Sequence, residues 1–237
     1  MRLTRAALAA LIDHTLLRPA ATAAQVEQLC REAHEHGFFS VCVNPVHVAR
    51  ARRTLDALGD NTPGRARVQV CTVIGFPLGA NVPAIKAAEA ARALADGATE
   101  LDMVIALGSL RAGDDALVQA DIEGVVRAGA GAHLTKVILE TALLDAAEID
   151  RACRLSVAAG ARFVKTSTGF GPGGATVEAV RRMRAAVPAE VGVKASGGIS
   201  DAAAARAMLA AGADRLGASA SVAIVAGWDE AVPVDMP

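Results

Sequence analysis

Lysine is rare in this chain. Of 24 lysines and arginines, only Lys86, Lys136, Lys165 and Lys194 are lysines. Three of the four stand inside apolar runs: "LTKVILE" (134–140), "FVKTSTGFGPGG" (163–174) and "VGVKASGGISD" (191–201). Lysine is seldom buried unless it is paired, so the placement calls for a chemical reason. Removing an ammonium from water lowers its pKa, and a second ammonium nearby lowers it further. Neighbouring strands lie about 4.8 Å apart. Two unit charges about 5 Å apart repel by about 3 kcal/mol at an effective dielectric near 20. Either effect leaves an amine free to add to a carbonyl and form a Schiff base. On these grounds one of Lys165 and Lys194 is the nucleophile and the other perturbs it, and the residues alone do not choose between them.

A carboxylate accompanies the amines. In "TELDMVIALG" (99–108), strand alternation sends Asp102 and Val104 to one face and Leu101 and Met103 to the other. An inward Asp102 suits proton transfer to a substrate hydroxyl; its alternative role is to neutralise a lysine. Three glycine-rich turns follow strand-like runs: "STGFGPGG" (167–174), "SGGIS" (196–200) and "LGASAS" (216–221). Such turns let backbone N–H groups approach a phosphate. Gly169, Gly171 and Gly174 also fit the spacing of a dinucleotide fingerprint. That motif needs an acidic residue at the end of the next strand, where this chain offers Lys194, and Pro172 interrupts the turn. Nicotinamide binding is therefore rejected. His14, beside Asp13, is a candidate pocket residue, whereas Lys86 is placed on a helix and expected to be exposed.

The elements needed to position these groups alternate along the chain. Strands are predicted near 11–15, 39–44, 68–75, 100–105, 135–141, 162–167, 191–196 and 214–219, with helical patterns between them. Eight such units predict an α/β fold, a (β/α)8 TIM barrel, with an open doubly wound sheet as the competitor. A helix over about 22–36 is read as an extra element between the first two strands. No linker or shift in composition divides the chain, so residues 1–237 are expected to form a single domain. In a parallel barrel, catalytic groups sit at the C-terminal strand ends.

Composition narrows the functions further. The formal net charge is −1 and aromatics make up 3% of the chain, with no tyrosine. No basic field or stacking platform for nucleic acid is present. Cys30, Cys42, Cys71 and Cys153 are too scattered for a zinc site or a disulfide framework, and reduced thiols in the cytoplasm are expected. The opening "MRLTRAALAALIDHTLL" has the start of a signal peptide, but Asp13 and His14 break it, and helix into strand is the better reading. Residues 68–85 carry no charge, yet "GFPLGANVP" splits them into strand, loop and helix start. No membrane contact is predicted.

"DHTLL" (13–17), "VCVNP" (41–45), "CTVIGFPLG" (71–79), "LDMVI" (101–105), "KVILET" (136–141), "FVKTSTGF" (163–170), "VKASGGI" (193–199) and "RLGAS" (215–219) together resemble the deoxyribose-phosphate aldolase family, in order and across nearly the whole chain. The resemblance implies a class I lyase on a (β/α)8 barrel, needing neither cofactor nor metal. It would reversibly cleave 2-deoxy-D-ribose 5-phosphate to glyceraldehyde 3-phosphate and acetaldehyde. It makes Lys165 the Schiff-base lysine, Lys194 the neighbour that lowers its pKa, and Asp102 the proton donor and acceptor. It places phosphate against Gly169, Gly197, Gly198, Gly217 and Ser219, and the sugar against Asp13, Thr15, Cys42 and Thr168, with Lys136 nearby. The implied partner is a phosphosugar; a homo-oligomer is compatible with this reading. Phe170 stands where some relatives have lysine, and Ala220 replaces a serine found in some of them. The competing functions are a non-catalytic phosphosugar-binding barrel and a Schiff-base aldolase with a different donor.

Overall fold

A computed structural model describes residues 2–59 and 67–235. Eight parallel strands run in sequence order around a closed barrel: β1 (Ile12–Leu16), β2 (Ser40–Val43), β3 (Gln69–Ile74), β4 (Glu100–Val104), β5 (Leu134–Ile138), β6 (Phe163–Lys165), β7 (Gly192–Ser196) and β8 (Arg215–Ala218). The pairing of β1 with β8, Asp13 opposite Gly217, closes the sheet and removes the open alternative. Each strand falls where its β-branched run predicts, and burial on both faces explains why the runs lack a clean polar alternation.

The crossover helices carry their own start and stop signals. Thr22 caps Ala23–His36 through a capping box with Gln25, and Gly37 ends it in the left-handed region. This helix is not an addition to the barrel, as the sequence reading had it, but the ordinary crossover from β1 to β2. The supernumerary helices are Arg5–Ala9, ahead of β1, and Leu107–Ala112, after β4. Asp201 caps Ala202–Ala210. Trp228, beyond the last helix, is buried, donates from Nε1 to the Leu3 carbonyl and lies under the Arg206 guanidinium. That ties the two chain ends together. Among the described residues, no helix is long and apolar enough to cross a membrane.

Lys86 departs from expectation. It lies on the helix Pro83–Ala95 but is fully buried, its ammonium 2.5 Å from Asp121 Oδ2 and 3.0 Å from the Val104 carbonyl. Its stem crosses Gly75 so closely that a Cβ there would meet Lys86 Cε at 2.8 Å. The amine thus braces the end of β4, two residues beyond Asp102. Breaking a buried ion pair strands the remaining charge. Lys86→Met is expected to cost about 3 kcal/mol in chemical denaturation, and adding Asp121→Leu should recover most of that loss.

Candidate active site

Alternation turns seven ionisable side chains into the barrel: Asp13 from β1, Glu100 and Asp102 from β4, Lys136 from β5, Lys165 from β6, Lys194 from β7 and Arg215 from β8. Asp102 is the hub. Its Oδ2 accepts from Lys165 Nζ at 2.9 Å and from Lys194 Nζ at 2.8 Å, and its Oδ1 accepts from Lys136 Nζ at 2.8 Å. Lys194 also pairs with Asp13 Oδ2 at 2.5 Å, and Lys136 with Glu100 Oε2 at 2.7 Å. Arg215 completes the layer beneath, bonded to both Asp13 and Glu100, with its guanidinium 3.5 Å above the Phe39 ring. Gly217 leaves room for this packing, since a Cβ there would lie 3.0 Å from Lys194 Cε.

The network fixes its own charge states. Burial opposes ionisation of Asp102, but Lys136, Lys165 and Lys194 outweigh it and hold the carboxyl well below the usual range. Burial likewise opposes the charge on Lys194, and Asp102 and Asp13 overcome it, raising its pKa well above the ordinary lysine value. Lys136 is raised in the same way, against burial, by Asp102, Cys71 and Glu100. The expectation that ammonium repulsion dominates this cluster is therefore incomplete, because a carboxylate sits between the two amines. Lys194 and Lys136 each have two carboxylate partners. Among the described residues Lys165 has only Asp102, and shares it.

A cavity of about 850 Å³ opens at the C-terminal strand ends, where a parallel barrel carries its ligands. Lys165 reaches it, as do Thr15, Thr168, Gly169, Gly197, Gly198, Gly217 and Ser219. Gly169, Gly197 and Gly198 all have positive φ, at 83°, 87° and 78°. None of these three amides donates to a protein acceptor among the described residues.

The chain matches the DeoC/LacD family aldolase over residues 7–227. It belongs to that family. The deoxyribose-phosphate aldolase of Exiguobacterium sibiricum is 55% identical over 220 residues, covering 93% of this chain and 96% of the relative. That of Halalkalibacterium halodurans is 54% identical over 220 residues, covering 93% and 95%. Among solved structures, a deoxyribose phosphate aldolase from Aeropyrum pernix, described as a unique tetramer, superposes with a TM-score of 0.85. It shares 38% identity and is covered over 92% of its length by 95% of this chain.

In this DeoC/LacD family aldolase, three of the residues expected at the sugar lie below the cavity floor. Asp13, Cys42 and Lys136 are fully buried and do not line the cavity. Their inward strand phase puts them one layer down, where Asp13 and Lys136 are occupied by ion pairs and Cys42 packs with Cys71. Asp102 and Lys194 have no exposed surface either, and meet the cavity through the Lys165 amine. Thr168 lines it, but its hydroxyl donates to Glu140 and accepts from the Phe170 amide. His14 lines the cavity edge and bonds Ser221 and Glu32.

Glu100 and Arg215 were missed as candidates. The signal for Glu100 was available, since it stands two residues before Asp102 on the same strand face; Arg215 shares the inward phase of Gly217. Cys42, Cys71 and Asp102 bring donor atoms within 4.8 Å of one another, the geometry of a metal site. Three lysine amines already hold the Asp102 oxygens, those of Lys136 and Lys194 kept charged, and Lys136 Nζ lies 3.6 Å from Cys71 Sγ. A dication there would meet strong repulsion, so this donor set does not suit one.

Proposed function

We propose that this chain is a class I aldolase that reversibly cleaves 2-deoxy-D-ribose 5-phosphate to D-glyceraldehyde 3-phosphate and acetaldehyde through a Schiff base on Lys165. One observation carries the assignment to Lys165: of the three amines gathered on Asp102, it alone lines the cavity. Schiff-base chemistry requires that amine to be uncharged. The carboxylates of Asp13, Glu100 and Asp102 then balance Lys136, Lys194 and Arg215, so the interior is neutral in its reactive form.

Lys165 Nζ adds to the C1 aldehyde of the open-chain sugar, and the carbinolamine hydroxyl takes up a proton from solvent and leaves as water, giving an iminium; the proton returns to solvent at the final hydrolysis. The C3 hydroxyl loses its proton to Asp102, directly or through a water. The C2–C3 bond then breaks, and its electron pair moves toward the iminium nitrogen to form an enamine. Glyceraldehyde 3-phosphate departs. Lys194 delivers a proton to C2 and is recharged by the one Asp102 took up; hydrolysis of the new iminium frees acetaldehyde and Lys165. The phosphate lies against the backbone of Gly169, Gly197 and Gly198 and the Gly217–Ser219 turn, with Thr15 and Thr168 along the sugar. Unpaired amides at positive-φ glycines support that placement. We place the enzyme in the cytoplasm, where its four buried free cysteines stay reduced, working as one catalytic domain within a homo-oligomer.

Reduction with borohydride in the presence of substrate, followed by peptide mass mapping, tests the assignment. An ethyl group is expected on Lys165, and cleavage should persist in EDTA. Cleavage with no adduct, or with the adduct on Lys194 alone, would overturn it.

A further inference from the structure

Glu140 follows β5 with φ 56° and ψ 59°, and it is the one non-glycine residue with positive φ among those described. A side chain in the left-handed region costs about 1–2 kcal/mol, and such strain persists where the surroundings over-determine it. Here they do. The carboxylate is buried, and Thr168 donates to it twice, from its backbone N–H at 3.3 Å and from its hydroxyl. The same hydroxyl accepts the Phe170 N–H at 3.0 Å. Further along, the loop crosses the carboxylate at Gly171, where a Cβ would lie 2.9 Å from Glu140 Cδ. Gly169 is thus bracketed: the residue before it and the residue after it are both anchored, directly or through Thr168, on one buried carboxylate.

We propose that Glu140 is a positioning residue that sets the shape of the 168–171 loop and so the enzyme's preference for phosphorylated over unphosphorylated sugars. The inference rests on the reading above that Gly169 meets the phosphate. Glu140 has no place on the path of the reacting atoms, because it is bonded to the loop and not to Lys165 or Asp102. Its loss should therefore act on phosphate binding and spare the chemistry. The loop can be displaced from either side: by removing the carboxylate in Glu140→Ala, or by pressing a methyl group against it in Gly171→Ala. Gly171 is exposed and has no positive φ, so the second variant carries little risk to folding.

The test compares KM and kcat for 2-deoxyribose 5-phosphate and for 2-deoxyribose in both variants and in Glu140→Gln. Loss of both Thr168 hydrogen bonds in Glu140→Ala, and displacement of the loop by the added methyl in Gly171→Ala, each predict a KM for the phosphosugar raised at least about tenfold. In Gly171→Ala, which removes no hydrogen-bonding group from Glu140 or Thr168, cleavage of 2-deoxyribose should stay within about twofold, and borohydride trapping at Lys165 should be intact in every variant. Glu140→Gln, which keeps an acceptor oxygen, should show a smaller rise. Equal losses on both sugars, or an unchanged phosphosugar KM in Gly171→Ala and Glu140→Gln, would overturn the proposal. If the unaltered protein fails to trap substrate on Lys165, it is the parent reading that has failed.

Discussion

Lys165→Met is expected to abolish cleavage and yet raise the melting temperature. Methionine nearly matches the volume of lysine but has no amine, so no iminium forms; loss of a nucleophile lowers turnover by at least about 10⁴-fold. The stability gain follows from the charge count. With every basic group protonated, the interior sets Lys136, Lys165, Lys194 and Arg215 against Asp13, Glu100 and Asp102. Removing the least compensated amine balances the cluster and leaves Asp102 Oδ2 to Lys194 alone. A rise of a few degrees is expected, about 1–2 kcal/mol for a chain of this size. Turnover and thermal melting measured on the same preparation check it; a melting temperature lowered by several degrees would contradict the charge argument.

Asp102→Asn should also lose turnover but move stability the other way. Asparagine keeps the shape and removes the proton acceptor, which costs about 10²–10⁴-fold in turnover. It also leaves four basic groups facing Asp13 and Glu100 alone. Removing one partner from a buried ionic cluster costs about 3–5 kcal/mol, or roughly 10 °C here. The deficit should depend on pH with a definite sign. The Asp102 carboxyl is lowered from its usual 3.8 on folding, so its contribution is fully present above that value and lost as pH falls further. The stability gap between parent and variant should therefore hold at neutrality and narrow below about pH 3.8. A gap independent of pH down to strongly acidic solution would show that the carboxylate charge is not the source. Together the two variants separate catalysis from stability, because both turnovers fall while their melting points move apart.

Much of this was legible in the sequence, and what was not has a physical cause. Strand alternation around Asp102 and the scarcity of lysine pointed to the cluster, and the alternation of strand and helix patterns predicted the barrel. What escaped was depth. A strand pattern says that Asp13, Cys42 and Lys136 point inward, but not whether they lie at the mouth or one layer down, since that depends on the stagger between strands. Lys86 failed for a similar reason. Its helix face looked solvated because its partner, Asp121, is 35 positions away in the chain and meets it only in the folded form. The residues alone also left Lys165 and Lys194 open, because both stand at equivalent positions of adjacent, register-matched strands; only the family resemblance chose Lys165.

The layer formed by Arg215, Glu100 and Asp13 bears on any attempt to move this chemistry elsewhere. Grafting Lys165, Lys194 and Asp102 alone onto another barrel would transplant an amine, its neighbour and their hub without the counterweights that keep two of them charged. The portable unit is seven side chains drawn from six strands, closed at the bottom by an arginine lying on a phenyl ring. A host whose interior is hydrocarbon at that level would take up the reactive residues and leave them mute.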